Sequence, residues 1–568
     1  MTLKKIYIFA LSVVLLGSCT KTLDELLVNP NGPTPESANA DLYLPVIQSS
    51  FVGVFNSASS FGQQLTRQIV MYGPTYNQAY SPNSFDGIWS TAYTGVFKHA
   101  NILIPAATAQ KKYVQAGMAK LMKAYTMMTL VDMFGDIPYT EANLGIDNTN
   151  PAVTTGAEVY AAAIKLLQEV SDTLDLVASG SLAHGAYPGF YDNFFGASNA
   201  AGARRWATQA KLLMLRAYMT TRLVDSGAKG KIEALLSNSF VVASLSGTAQ
   251  DFEFKYSRQQ ANPNSRHPRY NGNYTAAGNA GDYIGTHWMW TLAVEKGNFS
   301  NTPANDRSDP RTRYYLYRQT TNQGSVNEAT VSCSVAPPPA QYTPGMPFCL
   351  IGFAGFWGRD HGDNSGIPPD GNLRTTWGIY PAGGDLDLNQ GSRVSLNRGG
   401  QGAGIQPIWQ ASFSHFMLAE AQLTLGVAGD ARASLENGVR ASISKVINFP
   451  ATIGYTVNPA VVPSSTRIDE YVTKVLDAYD AETTNSGKLN VIMKEWYIAL
   501  WGNGADANNN YRRTGMPNNF QFAKLPDPGP YIRSFLYPST YINLNKNAGG
   551  QNAIDKKVFW DTNPAVLK

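Results

Sequence analysis

Tyrosine and tryptophan recur in three stretches of this chain, residues 72–80, 283–290 and 357–380, together with glycine and polar residues. Such rings have flat apolar faces and few rotatable bonds, so they can stack on the C–H side of a pyranose ring at little entropic cost. We therefore expect exposed aromatic loops that bind a sugar; the alternative is that each ring belongs to the core or caps a helix. The candidate ligand-binding residues are Tyr76 and Tyr80 in the first stretch, Trp288 and Trp290 in the second, and Trp357 and Trp377 in the third.

A short acidic stretch lies beside the third aromatic group. Asp360 and Asp363 stand between glycines in residues 358–366, where oxygen-bearing side chains are concentrated. Calcium favours such oxygen-rich loops, although the spacing departs from that of an EF-hand. The alternative is a solvated turn in which the acidic side chains support their own backbone. Calcium is thus the only cofactor for which the sequence offers a candidate.

Motifs of catalysis are missing from the sequence. There is no Gly-x-Ser-x-Gly elbow, no His-Glu-x-x-His helix and no glycine-rich phosphate loop of the right spacing. The paired carboxylates of glycoside hydrolases obey no sequence spacing, because only their separation in space matters. The residues alone therefore leave a surface glycoside hydrolase open as an alternative to a binding protein.

The N-terminus combines a positive start, an apolar run and a cysteine. Lys4 and Lys5 precede apolar residues 6–16, and the run ends in Leu16-Gly17-Ser18-Cys19. This order is typical of a secretory signal peptide and is too short to span a bilayer. The end of the run resembles the lipobox of bacterial lipoproteins, in which the signal (here residues 1–18) is removed and the cysteine (here Cys19) carries lipid. The alternative is an ordinary signal peptide with an incidental cysteine.

Two further cysteines flank a proline-rich stretch. Cys333 and Cys349 enclose a short loop, and an exported chain reaches an oxidising compartment. We predict a disulfide between them, which would stabilise the fold by roughly 3 kcal/mol. The alternative is two separate buried thiols.

The overall composition restricts the class of partner. Charged residues make up 15% of the 568 residues and the net charge is +4, so the chain lacks the basic stripe that nucleic-acid binding requires. No second apolar run approaches the length of a membrane span. We expect a water-soluble body that is held at a membrane by lipid alone and binds no nucleic acid.

Periodic apolar residues place long helices at both ends of the chain, separated by a middle part of a different character. Residues 19–40 carry the lipidated cysteine and a flexible tether, and residues 41–568 form a single domain. Its helical blocks cover about 41–239 and 411–568, with a loop-rich insertion of short strands at about 240–410. We expect a mainly α fold with antiparallel helix pairs similar to tetratricopeptide units. The expected helices cover residues 41–71, 89–107, 111–134, 158–177, 204–224, 231–236, 411–425, 430–446, 467–479 and 489–501.

Several motifs, in the same order, resemble those of SusD/RagB nutrient-binding lipoproteins. The resemblance spans nearly the whole chain and includes the lipobox and the tether. The matching motifs are residues 130–142 (LVDMFGDIPYTEA), 309–311 (DPR), 416–421 (FMLAEA), 511–517 (YRRTGMP) and 533–538 (RSFLYP).

The resemblance implies a SusD-like fold and a non-catalytic role on the outer membrane, facing the cell exterior. The implied partner is a SusC-like TonB-dependent transporter, to which the lipoprotein delivers a nutrient oligomer. We expect an oligosaccharide as the ligand; a peptide ligand, or a purely structural subunit of the transporter complex, is the alternative within the family.

Overall fold

The computed structural model describes residues 39–278, 280–321, 337–349, 353–363 and 373–568. Helices are its longest elements, and they occupy the two ends of the chain. The helices of nine or more residues are α1 Ala40–Leu65, α2 Lys98–Ala109, α3 Tyr113–Phe134, α4 Gly156–Ala178, α5 Ala200–Thr221, α6 Ala228–Leu236, α7 Ala411–Leu425, α8 Ala431–Thr452, α9 Ser465–Ala481, α10 Asn485–Ala499 and α11 Gly504–Thr514.

Shorter elements connect these helices and fill the middle of the chain. The strands are β1 Ile137–Pro138, β2 Val153–Thr154, β3 Phe252–Lys255, β4 Leu316–Tyr317, β5 Thr376–Trp377 and β6 Ile405–Trp409. The short α-helical segments are Tyr76–Ala79, Asp86–Ser90, Ser239–Ala243, Pro268–Asn273, Thr286–Trp290, Thr312–Tyr315 and Ser539–Leu544, and the π-helical ones are Thr91–Phe97 and Thr291–Glu295. The prediction of a mainly helical fold with short strands is confirmed.

The N-terminal block is a series of helices packed on their sequence neighbours. α3 is apolar on nearly all sides and is buried between α1, α2 and α4. α4 begins with a capping box, in which Thr155 and Glu158 satisfy each other's backbone N–H groups. The apolar face of α4 packs against both α3 and α5. Consecutive helices of this block therefore pack on each other even though 21 residues separate α3 from α4 and α4 from α5.

The C-terminal block repeats this arrangement and joins the first block in one core. α7 ends at Gly426, which adopts a left-handed conformation, and packs on α8 and α10. α11 crosses α1, so helices more than 400 residues apart in sequence are in contact. Among the tryptophans on helical patterns, Trp206, Trp496 and Trp501 are fully buried and Trp89 is nearly so, as their positions predict.

A pair of strands, β3 and β6, joins the beginning and the end of the middle part of the chain. β3 pairs antiparallel with β6, with Phe252 opposite Trp409 and Lys255 opposite Ile405. β4 pairs with β5 further into this region, and β1 pairs with β2 in the N-terminal block. The described residues between α6 and α7 contain no helix longer than six residues. This part of the chain is therefore mostly irregular backbone supported by the two helical blocks.

The first predicted helix extends too far. Residues 41–71 were expected to be helical, but α1 ends at Leu65. Arg67 has a φ of +64°, which is incompatible with a right-handed helix, and Ile69 forms an antiparallel bridge with Ile284. Pairing with a distant segment thus overrides the local helical pattern.

Within the described part of the chain, no helix combines the length and the apolar character needed to cross a bilayer.

Candidate ligand-binding site

The three aromatic stretches meet through backbone pairing. Val70 donates its N–H to the carbonyl of Tyr283 at 3.0 Å, which joins the first stretch to the second. Arg359 donates its N–H to the carbonyl of Ile284 at 3.2 Å, and Thr286 donates to the carbonyl of Arg359 at 2.8 Å, which joins the second to the third. The first and second segments are more than 200 residues apart in sequence, and the second and third are about 70 apart. Together the three form one narrow sheet-like junction.

Two glycines make this close approach possible. A Cβ atom at Gly285 would lie 2.1 Å from the carbonyl oxygen of Arg67, and one at Gly358 would lie 2.2 Å from that of Ile284. Both distances are far below a van der Waals contact, so any side chain at either position would push the segments apart. The junction depends on glycine where the central segment meets each neighbour.

Four of the six predicted ring residues are buried, so the expectation that they lie exposed on loops is wrong. Trp288 lies on a short helix and stacks on Trp501 at 5.2 Å between ring centroids, and Trp377 stacks on the same ring at 4.0 Å. Tyr76 and Trp357 are each only 2% exposed. Burial of these four large rings stabilises the fold and leaves no face for stacking on a ligand.

Tyr80 and Trp290, the other two predicted residues, are partly buried. The Tyr80 hydroxyl donates to the side-chain oxygen of Gln64 at 2.8 Å, and its ring contacts Phe61. Trp290 lies 5.8 Å from the His287 ring between centroids. Their role as ligand contacts stays a prediction.

The most exposed tyrosine of the first stretch is Tyr72, which was not among the predicted site residues. Its side chain is 48% exposed and meets the Tyr283 ring edge-to-face, with 6.3 Å between centroids. Tyr283 is buried between two guanidinium groups, with the Cζ atoms of Arg359 and Arg374 at 3.7 and 3.6 Å from its ring centroid. The sequence signal for this group is the arginine content of the third stretch, which the pattern of aromatic residues alone does not include.

A partly buried acidic group, Asp282, lies beside the same surface. The Asp282 carboxylate accepts hydrogen bonds from Arg269 at 3.1 Å, Asn273 at 2.8 Å and the Trp377 indole at 2.9 Å. We refer to Tyr72, Asp282, Tyr283, Arg359 and Arg374 together as the junction site. It offers a half-exposed aromatic face beside charged and hydrogen-bonding groups, which is the combination that a polyhydroxylated ring requires.

The charges of the junction site act on the Tyr72 hydroxyl. Partial burial raises the pKa of Tyr72 above its ordinary value, and the Asp282 carboxylate raises it further. Arg374 and Arg359 lower it in turn, so both guanidinium groups act electrostatically on the exposed ring. The hydroxyl therefore stays protonated at neutral pH and can donate a hydrogen bond.

The predicted calcium residues make protein contacts. Asp360 accepts hydrogen bonds from the Gln521 side chain at 2.7 Å and the Cys349 N–H at 3.2 Å, and Asp363 pairs with Lys524 at 2.9 Å. Nowhere in the described ranges do three or more histidine, cysteine or acidic side chains come together as metal ligands. These two carboxylates fix the third stretch against residues 521–524.

Both predictions about the cysteines involve a residue outside the described ranges. Cys19 and Cys333 both lie outside them, whereas Cys349 is described and is disulfide-bonded. The predicted pairing of Cys349 with Cys333, like the lipidation of Cys19, therefore stays a prediction.

Three clefts of 420 Å³ or more lie away from the junction site, and one of them, between residues 192–196 and 248–255, has Phe194 and Phe195 in its lining. The other two have volumes of 420 Å³, between residues 303–313 and 460–470, and 530 Å³, between residues 242–251 and 410–445. Neither of these two clefts is lined by tryptophan, tyrosine or phenylalanine. They therefore lack the flat apolar faces on which a sugar ring stacks.

The chain has the fold of several solved structures. A chitin-binding SusD homologue from Flavobacterium johnsoniae matches with a TM-score of 0.61 and 18% identity, over 92% of this chain and 100% of that one. A SusD homologue from Bacteroides fragilis matches with a TM-score of 0.64 and 16% identity, over 92% and 99% of the two chains. A SusD/RagB family protein from Bacteroides thetaiotaomicron matches with a TM-score of 0.62 and 19% identity, over 93% and 100%. At these identities the similarity shows the fold.

Sequence profiles of families decide the membership. The SusD-like profile described as starch-binding associating with outer membrane matches residues 30–328, which is more than half of the chain. The chain belongs to the SusD-like family. A second profile, of SusD and RagB outer membrane lipoproteins, matches residues 403–548 of this SusD-like protein. A search of curated proteins gave no match.

Membership confirms three of the predictions. The SusD-like protein is an outer membrane lipoprotein, as the profile description states. It has the mainly helical SusD-like fold with a few short two-stranded sheets. It is a nutrient-binding protein without catalytic activity, since proteins of this family bind and do not turn over their ligands. The alternative of a surface glycoside hydrolase is thereby excluded.

Proposed function

We propose that this SusD-like protein captures oligosaccharides at the junction site and delivers them to a SusC-like TonB-dependent transporter. The observation that carries the proposal is the exposed Tyr72 ring, held at the meeting point of three aromatic stretches. The chitin-binding relative from Flavobacterium johnsoniae supports a glycan as the ligand class. The implied partner and the exterior orientation come from the family resemblance.

The rigidity of the junction site favours binding. Tyr72 follows an extended segment whose backbone is paired with the Tyr283 segment, so its position is fixed before a ligand arrives. The Tyr283 ring supports it from the side and is itself held by two arginines. A preformed aromatic face loses little conformational entropy on binding.

Attachment to the membrane would come from lipid on Cys19 and the tether of residues 19–40. The first described residue, Asn39, caps α1, so the body begins directly after this tether.

Calorimetry with a panel of glycan oligomers and peptides tests the ligand class. We expect at least one oligosaccharide to bind and Tyr72→Ala to weaken it about tenfold, because the variant removes the exposed stacking face. Phe190→Ala is the matched control, since Phe190 is an aromatic residue 82% exposed on another loop; this variant should bind as the wild type does. Binding of peptides alone, or an equal effect of both substitutions, would contradict the proposal.

The transporter is tested by purification from outer membranes under mild detergent. A TonB-dependent barrel should co-purify with the lipoprotein. Recovery of the lipoprotein without a barrel under conditions that preserve other membrane complexes would count against the proposed delivery step.

A further inference from the structure

Arg359 is a buried cation without an anionic partner. Its side chain is 6% exposed, and its Nη2 donates to the Tyr283 hydroxyl at 2.7 Å. The Nε–H has no hydrogen-bond partner, and no carboxylate of the described residues forms an ion pair with this guanidinium. Its other contact is with the face of the Tyr283 ring. A guanidinium that is removed from water and not neutralised costs free energy.

Several other buried arginines of this protein form ion pairs, whereas Arg266 and Arg512 form none among the described residues and each keep an unpaired Nε–H. Arg311 pairs with Asp309 at 2.7 Å, Arg318 pairs with Asp387 at 2.5 Å, and Arg513 pairs with Glu420 at 2.5 Å. Arg67 lacks such a partner but donates to three backbone carbonyl groups as well as to Tyr76. Compared with the ion-paired arginines, Arg359 has an unpaired Nε–H and no carboxylate that offsets its charge. It differs from Arg266 and Arg512 in its position, because it lies against the Tyr283 ring, which contacts the exposed ring of Tyr72.

The nearest acidic groups at the junction are engaged elsewhere. Asp282 forms an ion pair with Arg269 and accepts two further hydrogen bonds. Asp360, the next residue in the chain, accepts from Gln521 and from the backbone of Cys349. Neither carboxylate forms an ion pair with Arg359 in the described part of the structure. The positive charge of Arg359 is therefore not offset by a carboxylate among the described residues.

The position of this charge connects it with the exposed ring. The Arg359 guanidinium lies against Tyr283, and Tyr283 contacts Tyr72 edge-to-face. Arg374 adds a second guanidinium on the Tyr283 ring. A ligand stacked on Tyr72 would thus lie near two guanidinium groups and near the Asp282 carboxylate, which is already paired with Arg269. The two positive charges act strongly there because they lie near a low-dielectric interior.

We propose that the junction site binds oligosaccharides carrying carboxylate or sulfate groups, with Arg359 supplying the complementary charge. This inference rests on the proposed function, because it concerns the ligand of the same site. Guanidinium groups suit such anions, since their planar array of donors matches two oxygen atoms at once. Neutral oligosaccharides would use the Tyr72 face without this contribution.

Titration calorimetry with the full chain separates the two anions. Oligogalacturonate is compared with its neutral methyl ester, and oligo-carrageenan with its desulfated form, at low and high salt. We expect at least one acidic probe to bind about tenfold more tightly than its neutral partner, with an advantage that falls as salt rises. The carboxylate and sulfate arms identify which anion is preferred.

Substitution of Arg359 tests the source of the preference. Arg359→Met should bring the acidic probe and its neutral partner to similar affinity, while Arg359→Lys should retain part of the difference. Arg432→Met is the control, since Arg432 is an exposed arginine paired with Asp480 on another face of the helical block; it should leave the preference intact. Thermal unfolding of each variant shows whether it is folded. If Arg359→Met does not fold, the comparison of acidic and neutral probes on the wild-type protein tests the proposal.

The outcomes distinguish this inference from the proposed function. If neutral oligosaccharides bind and neither acidic probe binds more tightly than its partner, the charge inference fails and the proposed function stands. If no oligosaccharide of any kind binds, both fail. A preference that survives Arg359→Met in a folded variant would also contradict the assignment to this residue.

Discussion

Single buried acids hold together parts of the chain that are distant in sequence. Asp132 accepts hydrogen bonds from the Trp560 indole at 2.9 Å and the Asn509 side chain at 2.8 Å, and also from the Tyr160 hydroxyl. Its carboxylate therefore joins the N-terminal block to α11 and to the C-terminal segment. Removing the Asp132 carboxylate would leave its three donors unsatisfied in the interior, which is why such a group is costly to change. The motif at residues 130–142 thus serves the fold.

The Asp-Pro-Arg motif has a comparable structural role. Arg311 pairs with Asp309 at 2.7 Å and with Glu495 at 3.3 Å, and the Tyr471 hydroxyl donates to Asp309 at 2.6 Å. All of these side chains are buried. The network connects the middle part of the chain to α9 and α10, so it fixes the loops of that part on the helical scaffold.

Asp360 gives a pH-dependent contribution to stability. Burial raises the pKa of Asp360 from 3.8 to about 6. Between these two values the folded protein keeps a proton that the unfolded chain has lost, so this group makes the folded state more stable as the pH falls from 7 towards 4. At neutral pH the ionised Asp360 carboxylate lowers the stability of the folded state by roughly 3 kcal/mol, as the size of the pKa shift implies.

Asp360→Asn should therefore flatten the pH dependence of the unfolding free energy between pH 4 and pH 7. The amide carries no charge and keeps an oxygen to accept from Gln521 or from the Cys349 backbone. Urea unfolding at a series of pH values measures the change. Asp147→Asn, at an exposed position, is the control and should leave the profile as it is; an unchanged profile for Asp360→Asn would show that the buried carboxyl does not titrate in this range.

At the scale of elements, the contact between α1 and α11 decides whether the two helical blocks join. A Cβ atom at Gly62 would lie 1.9 Å from the carbonyl oxygen of Gly504, and one at Gly504 would lie 2.2 Å from the N atom of Gln63. The helices therefore cross with their backbones in contact, and only glycine fits at the crossing point. Ser59 adds a hydrogen bond from its hydroxyl to the carbonyl of Gly502 at 2.8 Å.

Gly62→Ala should destabilise the protein by about 2–3 kcal/mol, because the methyl group forces the two helices apart. Gly53→Ala lies in the same helix and meets its nearest neighbour at an ordinary 3.7 Å. This second substitution should be stabilising by about 0.5–1 kcal/mol through helix propensity alone. Denaturant unfolding compares the two variants, and equal effects would show that the crossing tolerates a side chain.

Prediction from sequence succeeded where local periodicity determines the element. The helix expected at residues 411–425 has the observed bounds of α7, and the other long helices differ from the expected ones mainly at their ends. It failed for the end of α1, because a bridge to a segment over 200 residues away turns the chain at Arg67. Local patterns cannot show such pairing, since the partner is specified elsewhere in the chain.

The candidate site was predicted at the level of segments and missed at the level of side chains. All three aromatic stretches do meet, yet Trp288 and Trp377 face inward because Trp501, from the C-terminal block, completes a stack with them. An aromatic ring in a glycine-rich stretch can face either way, and the sequence does not contain the position of the third ring. Tyr72 is exposed because its chain segment turns outward after the bridge at Ile69.

At the scale of the whole molecule, two helical blocks form one rigid support for irregular loops. The core is continuous from α1 through the middle of the chain to the C-terminal residues. Loops held in this way can present side chains to a ligand with little loss of entropy on binding, which suits a protein that binds its ligand and catalyses nothing. The membership in an outer membrane lipoprotein family places this rigid body at the membrane where nutrients are captured.

A crystal structure of the protein with the oligosaccharide that binds most tightly in calorimetry tests the central claim directly. We expect a sugar ring on the exposed face of Tyr72, with its polar groups towards Arg359, Arg374 and Asp282. A ligand bound in either of the clefts without aromatic residues, at residues 303–313 with 460–470 or at residues 242–251 with 410–445, and absent from Tyr72, would contradict the proposal.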